Sequence, residues 1–281
     1  MTGEAAAVAE ADGGAEASGA ICLPAGFVAA GVACGIKASG APDLAVVAAE
    51  PGRLAGRPRG ASERAVPAAA VFTVNKAAAA PVQVSRAHLA ATGGFVAGVV
   101  INSGNANAAT GEKGLEAARR STALVAEHLG ARTDEVLVCS TGLIGISLPS
   151  ERIEAAIPAL VGQAGPTPEH GAEAAAAILT TDTRPRQAVA RGPGFTVGGM
   201  AKGAAMLSPH MATMLAVLTT DAQATPAQLA ATLRGAVAHS FNALSVDGSC
   251  STNDTVIALA SGRAGPADPA ALADAMARVS G

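Results

Sequence analysis

Val99-Val100-Ile101-Asn102-Ser103-Gly104-Asn105-Ala106-Asn107-Ala108-Ala109-Thr110-Gly111-Glu112 passes from a β-branched run, through a cluster of small polar residues, to the start of a helical pattern. The apolar run reads as the end of a buried strand over 95–101. Thr110 offers a capping oxygen for a helix over Glu112–Leu129, and Gly130 suits its C-terminal cap. A second short apolar run, Glu135–Cys139, follows. Strand, helix and strand in succession point to an α/β chain.

Outward from this unit the alternation continues. Thr167-Pro168, Thr225-Pro226 and Asp268-Pro269 each put a capping side chain before a proline at the first helical position. They predict helices over Glu169–Leu179, Ala227–Ser240 and Ala270–Val279, and Ser150 predicts one over Glu151–Val161. Further buried strands are expected at Leu44–Ala48, Ala70–Val74, Ala212–Leu218 and Val256–Ala260. Residues 53–67, with four arginines among glycine and proline, read as an exposed loop. Met1–Gly19 carries four acidic residues and no Lys or Arg, the reverse of a signal peptide, and reads as a frayed leader over about residues 1–20.

Composition narrows the function classes. The 281 residues are 50% hydrophobic, 15% charged and 2% aromatic, with a net charge of −3 and neither Trp nor Tyr. So apolar a chain is not a disordered one. A mildly acidic chain without stacking aromatics is a poor nucleic-acid binder. No apolar run is long and uninterrupted enough to predict a transmembrane helix. Cys22, Cys34, Cys139 and Cys250 show no C-x-x-C spacing, so no zinc site and no disulfide framework is indicated. They read as buried thiols in a reducing compartment, and the protein is expected in the cytoplasm.

Chemistry has three candidate places. Asn102–Asn107 has the residues of a turn. Ser140-Thr141-Gly142 sets a hydroxyl and a glycine N–H at the end of a strand, the pair of donors an oxyanion needs. Gly198–Leu215 holds one lysine, Lys202, a Ser208-Pro209 break, His210 and one hydroxyl in an apolar segment, Thr213. From pattern alone Thr213 reads as a core strand residue and His210 as a turn or surface residue rather than as a nucleophile and a general base. Met200, Met206, Met211 and Met214 fit gap-filling in a core rather than metal binding.

The segment Lys202-Gly203-Ala204-Ala205-Met206-Leu207-Ser208-Pro209-His210-Met211-Ala212-Thr213-Met214-Leu215-Ala216 resembles the cleavage region of the ornithine acetyltransferase family, the bifunctional glutamate N-acetyltransferases of arginine biosynthesis. Gly35-Ile36-Lys37, Asp43-Leu44-Ala45, Val71–Asn75, Ala80-Pro81-Val82, Asn102–Asn107, Ser140-Thr141-Gly142, Thr180–Thr183 and Ser251-Thr252-Asn253-Asp254-Thr255 match in the same order. The likeness runs from about residue 24 to 260, and its specificity lies in the collinear order.

The resemblance implies an α/β fold with layered sheets between helices. It also implies self-cleavage at Ala212–Thr213, dividing the chain into a larger fragment, 21–212, and the start of a smaller one, 213–281. Thr213 would be the nucleophile, with its freed α-amine as base. Thr141 and Gly142 would form the oxyanion hole, and Thr180 and Lys202 would contact substrate; Thr181 fits the Thr180 position equally. The implied reaction is ping-pong acetyl transfer from N-acetylornithine to glutamate, without metal or cofactor and with acetyl-CoA as a further donor. The implied assembly is a heterotetramer of two larger and two smaller fragments.

Two features depart from the family pattern. His210 stands where asparagine is expected and Ala204-Ala205 replaces a Ser-Gly type pair. Family chains also continue past the equivalent of Gly281 into further substrate-contacting segments. A related self-processing amide hydrolase or aminopeptidase, and an inactive shortened homologue acting as a binding partner, remain as alternatives.

Overall fold

The structure, a computed structural model, describes residues 15–54, 56–203, 214–240 and 251–281. Eleven strands among them form two sheets. In chain order the strands are β1 (Ala15–Glu16), β2 (Phe27–Val32), β3 (Leu44–Ala49), β4 (Val66–Phe72), β5 (Phe95–Val96), β6 (Gly98–Asn105), β7 (Val136–Leu143), β8 (Arg186–Gly192), β9 (Phe195–Lys202), β10 (Leu215–Gln223) and β11 (Thr255–Pro266). The helices are α1 (Ala80–Ala91), α2 (Gly111–Leu129), α3 (Ser150–Gly162), α4 (Pro168–Ala177), α5 (Pro226–His239) and α6 (Pro269–Ser280).

One sheet has the order β1-β8-β9-β10-β11-β4-β5 and the other β2-β3-β6-β7. Only β10–β11 and β6–β7 are parallel pairs. The alternation of side chains along β10 shows how the layers form. Leu215 and Val217 face the second sheet, in a core shared with Val47, Ile101, Leu137, Ile257 and Leu259. Ala216 and Leu218 face the other way, against Leu229 and Leu233 of α5 and Leu272 and Met276 of α6. On the far side of the four-stranded sheet, Val46, Val100 and Val138 pack on Val84, Val125 and Ile157 of α1, α2 and α3. Helices, sheet, sheet and helices are therefore stacked, the layered α/β arrangement expected. Alanine suits this stacking, because small side chains let backbones approach. At Gly31 of β2 even a Cβ would lie 2.2 Å from the Glu173 carbonyl oxygen of α4.

The structure also corrects the sequence reading in places. The strand expected over 95–101 is two strands in different sheets, broken at buried Ala97, because the chain crosses the sandwich there. The strand expected at Ala70–Val74 begins earlier, at Val66, and Val74 is outside it and exposed. The leader expected over 1–20 gives way to structure by Ala15: β1 pairs with β8 and the Gly19 amide donates to Gln187 Oε1 at 2.8 Å. Within 53–67, Arg64 is tucked in, donating to the carbonyls of Ala49 (2.7 Å) and Leu129 (3.0 Å).

The capping devices work unevenly. Thr225 and Asp268 accept the N–H groups of Gln228 and Ala271 as expected. Thr110 instead donates to Asn107 Oδ1 (2.8 Å), and Ser150 lies inside α3 behind Pro149. Helix α1 carries no such device; Ala79 precedes it and Pro81 is in its first turn.

Ile257, wholly buried on β11 between the sheets, provides a check of this packing. Ile257→Ala should lower unfolding free energy by about 2–5 kcal/mol, whereas Val74→Ala at its exposed position should change it by less than about 0.5 kcal/mol. Urea denaturation measures both, and equal effects would contradict the layer assignment.

Candidate active site

The ends of several strands converge on one end of the sandwich. In the seven-stranded sheet, Lys202 at the end of β9 pairs with Leu215 at the start of β10, Leu215 with Thr255 at the start of β11, and Thr255 with Phe72 at the end of β4. In the four-stranded sheet, Ser103 pairs with Thr141 and Gly104 with Gly142 where β6 and β7 end. Asn253 joins the two sheets at this end. Its Nδ2 donates to the carbonyls of Ala106 (2.6 Å) and Ser140 (2.9 Å).

The asparagine-rich segment is therefore more than a turn. Asn102 Oδ1 accepts the Ser140 hydroxyl at 2.5 Å, and Asn102 Nδ2 donates to the Asn105 carbonyl at 2.8 Å. Ser103 donates to Ala177 at the end of α4 (2.6 Å), which anchors the segment leading to Thr180 and Asp182. Left-handed backbone appears at Gly104, where φ is 98°, and at Asn107, where φ is 47°. Buried amides and hydroxyls tolerate burial only when bonded in this way. Gly142 is also fixed: φ is 131°, and a Cβ there would sit 2.3 Å from the Gly104 carbonyl carbon. No side chain fits at that position of the expected oxyanion cradle.

Lys202 crosses from one sheet to the other. Its Nζ donates to Thr141 Oγ1 (3.3 Å) and lies 3.6 Å from Asp182 Oδ2, the two side chains being 3% and 1% exposed. Burial pulls the Lys202 ammonium below the ordinary lysine value, and Asp182, with Asp254, opposes that pull. Asp182 is held in turn by the Gly203 amide (2.7 Å) and the Thr180 amide (3.4 Å). Thr180 is half-buried beside this pair, while Thr181 is exposed. Because Thr141 Oγ1 accepts from a cation, its own O–H is left to donate elsewhere.

Sequence reasoning did not single out Asp182 and Asp254 as site groups, although both stood within matched motifs. Asp254, fully buried, accepts the Met214 amide on Oδ1 at 3.1 Å. Its Oδ2 is buried without a hydrogen-bond donor among the described residues. Burial pushes its carboxyl up to about 8, against the opposing effects of the Ser251 hydroxyl, the Met214 amide and Lys202. Asp43, also fully buried, gathers the amides of Cys34, Ile36 and Lys37 at 2.6–2.9 Å and shapes the loop over Gly104.

Thr213, Ala212, His210, Met206, Met211 and Cys250 lie outside the described residues. Met214, which follows Thr213 directly, is inside the site. Cys22 and Cys139 are buried and Cys34 is half-buried; burial pushes all three thiols up to about 12, so none supplies a thiolate near neutrality. No group of three His, Cys, Asp or Glu among the described residues is arranged to hold a metal ion, and no described helix is long and apolar enough to cross a membrane.

A family model described as the ArgJ family matches residues 28–281. The chain belongs to the ArgJ family. A curated ArgJ relative, the arginine biosynthesis bifunctional protein ArgJ of Mycobacterium leprae, is 48% identical over 257 residues, which are 89% of this chain and 60% of that protein. The chain thus spans about three fifths of the length of the curated ArgJ proteins it matches. The structure of ornithine acetyltransferase from Mycobacterium tuberculosis complexed with ornithine aligns with a TM-score of 0.59 at 38% identity, covering 73% of this chain and 97% of that one. The Bacillus halodurans ArgJ structure aligns with a TM-score of 0.59 at 33% identity, covering 70% of this chain and 95% of that one.

The Lys202–Asp182 pair has a measurable consequence. Asp182→Asn leaves a buried ammonium short of its partner and should cost about 3–5 kcal/mol of stability, read from the urea midpoint. A loss below about 1 kcal/mol would show that Lys202 is neutral or solvated in the folded protein.

Proposed function

We propose that this ArgJ-family chain transfers acetyl from N-acetylornithine to glutamate through an acetylated Thr213. The observation that supports the reading is the buried contact between Lys202 and Thr141 beside Gly142, with Lys202 two residues before the 204–213 segment. Attack of the Thr213 hydroxyl on the Ala212 carbonyl, followed by hydrolysis, would cut the chain and release the Thr213 α-amine. That amine solves the problem of an alcohol nucleophile, which at its own pKa is almost unreactive near neutrality.

The cycle follows from the donors present. Thr213 Oγ bonds to the acetyl carbon of N-acetylornithine as its proton passes to the α-amine. The Thr141 hydroxyl and the Gly142 N–H receive the negative charge on the oxygen, a contribution of about 2.7–4 kcal/mol per donor in a comparable hydrolase. Collapse expels ornithine, which takes the proton. Glutamate then attacks the acetyl-threonine by the same route in reverse. Lys202 and Thr180 would hold the substrate, the ammonium of Lys202 complementing an anionic amino acid. No metal or cofactor takes part in these steps, and acetyl-CoA is a second donor the same nucleophile could accept. The proposed assembly is a heterotetramer of two larger and two smaller fragments, placed in the cytoplasm.

The purified protein should run as two fragments on a denaturing gel, the smaller beginning at Thr213. Thr213→Ala should leave one chain and abolish acetyl transfer to glutamate. A wild-type chain that stays whole would overturn the self-cleavage, and amine release from peptides without acetyl transfer would favour an aminopeptidase instead.

A further inference from the structure

Gly35-Ile36-Lys37 has no task in the transfer steps above, yet the fold fastens it to the active site. Buried Asp43 accepts the Cys34 amide on Oδ1 (2.6 Å) and the amides of Ile36 (2.6 Å) and Lys37 (2.9 Å) on Oδ2. The Asp43 carbonyl also accepts the Ser103 amide at 2.9 Å, which ties this loop to the end of β6. The loop lies on Gly104, where a Cβ would sit 3.0 Å from Ile36 Cγ2 and 3.1 Å from Lys37 Cγ. Gly104 in turn pairs with Gly142 of the expected oxyanion cradle. The stem of Lys37 therefore rests on the strand residue opposite Gly142. Lys37 is half-buried, and its Nζ donates to the Pro42 carbonyl at 2.6 Å. Burial pulls this ammonium below the ordinary lysine value; Asp43 opposes that pull and Lys202 adds to it, so the two lysines share one end of the sandwich. Lys202 has Asp182 as its ion-pair partner, whereas both oxygens of Asp43 are engaged by backbone amides.

The proposed reaction sets a problem of charge at this end. N-acetylornithine and glutamate both bring an α-nitrogen to the acyl carbon, so their side chains share one region of the site in turn. One side chain ends in an ammonium and the other in a carboxylate, and a fixed charge cannot favour both. A lysine can serve, because its ammonium rides on a flexible four-carbon stem. We propose that Lys37 is the acceptor-specificity residue: its ammonium leaves the Pro42 carbonyl to receive the side-chain carboxylate of an amino dicarboxylate such as glutamate, and returns to Pro42 when the ornithine ammonium is in place. The inference rests on the acetyl transfer proposed above. Lys202, neutralised by Asp182, remains for the carboxylate that the two substrates have in common. Lys37 makes and breaks no bond. It acts by charge, and the like charge of ornithine discourages that product from rebinding once acetyl has been transferred.

Lys37→Met keeps a stem against Gly104 and removes the charge. It should raise KM for glutamate about tenfold, the worth of one charged hydrogen bond, and leave KM for N-acetylornithine within about twofold. Preference for glutamate over glutamine as acceptor should fall by about the same tenfold, and Lys37→Arg should restore most of it. In wild-type protein, glutamate should protect Lys37 from reductive methylation, read by mass spectrometry, and glutamine should not; this measurement needs no variant to fold. Wild-type protein that forms no N-acetylglutamate would overturn the acetyl transfer and this inference with it. With transfer intact, three results overturn this inference alone: a glutamate KM unmoved by Lys37→Met, equal rises in KM for both substrates, or equal protection by glutamate and glutamine.

Discussion

A lysine ammonium buried between two sheets is the constraint on which this site depends. Lys202 is only 3% exposed, and a charge in that position persists only with a partner and with donors and acceptors fixed around it. Asp182 is that partner, and it can serve because the amides of Gly203 and Thr180 hold its carboxylate. Thr141 completes the surroundings from the opposite sheet. The pair therefore ties the end of β9, the segment after α4 and the end of β7 into one unit.

The layered fold makes that meeting possible. Both parallel pairs, β6–β7 and β10–β11, present one end to the same region, and the antiparallel neighbours β9 and β4 finish there. Asn253 bonded to Ala106 and Ser140, and Ser103 bonded to Ala177, seal the junction with fully satisfied polar groups. Glycine at 142 keeps the two strand ends in contact where a side chain would force them apart. The charged cluster is held by backbone geometry rather than by flexible surface side chains, which suits a site that must be set before charge develops.

Much of this was legible in the sequence, and the failures have physical causes. Helices opened by Thr225-Pro226 and Asp268-Pro269 were readable because the capping atom and the proline are local signals. Helix α1 was not, because Ala79 offers no capping side chain. Strands β2, β8 and β9 carry glycine, alanine and arginine where strand signals call for β-branched residues; their glycines serve close approach, as Gly198 shows, where a Cβ would lie 1.8 Å from the Ala20 carbonyl oxygen. Family resemblance singled out Thr141, Gly142, Thr180 and Lys202, and the structure gathers all four at one end of the sandwich. It did not single out Asp182 or Asp254, whose roles arise only when segments far apart in sequence are folded together.

The most direct test of the account follows the acetyl group. The protein should be incubated with N-acetylornithine alone, digested and mapped by mass spectrometry, then chased with glutamate. An acetyl on the Thr213 hydroxyl that disappears as N-acetylglutamate forms is the predicted result. Acetyl transfer with no acetyl ever found on Thr213, or acetyl found on another residue and chased to glutamate from there, would contradict it.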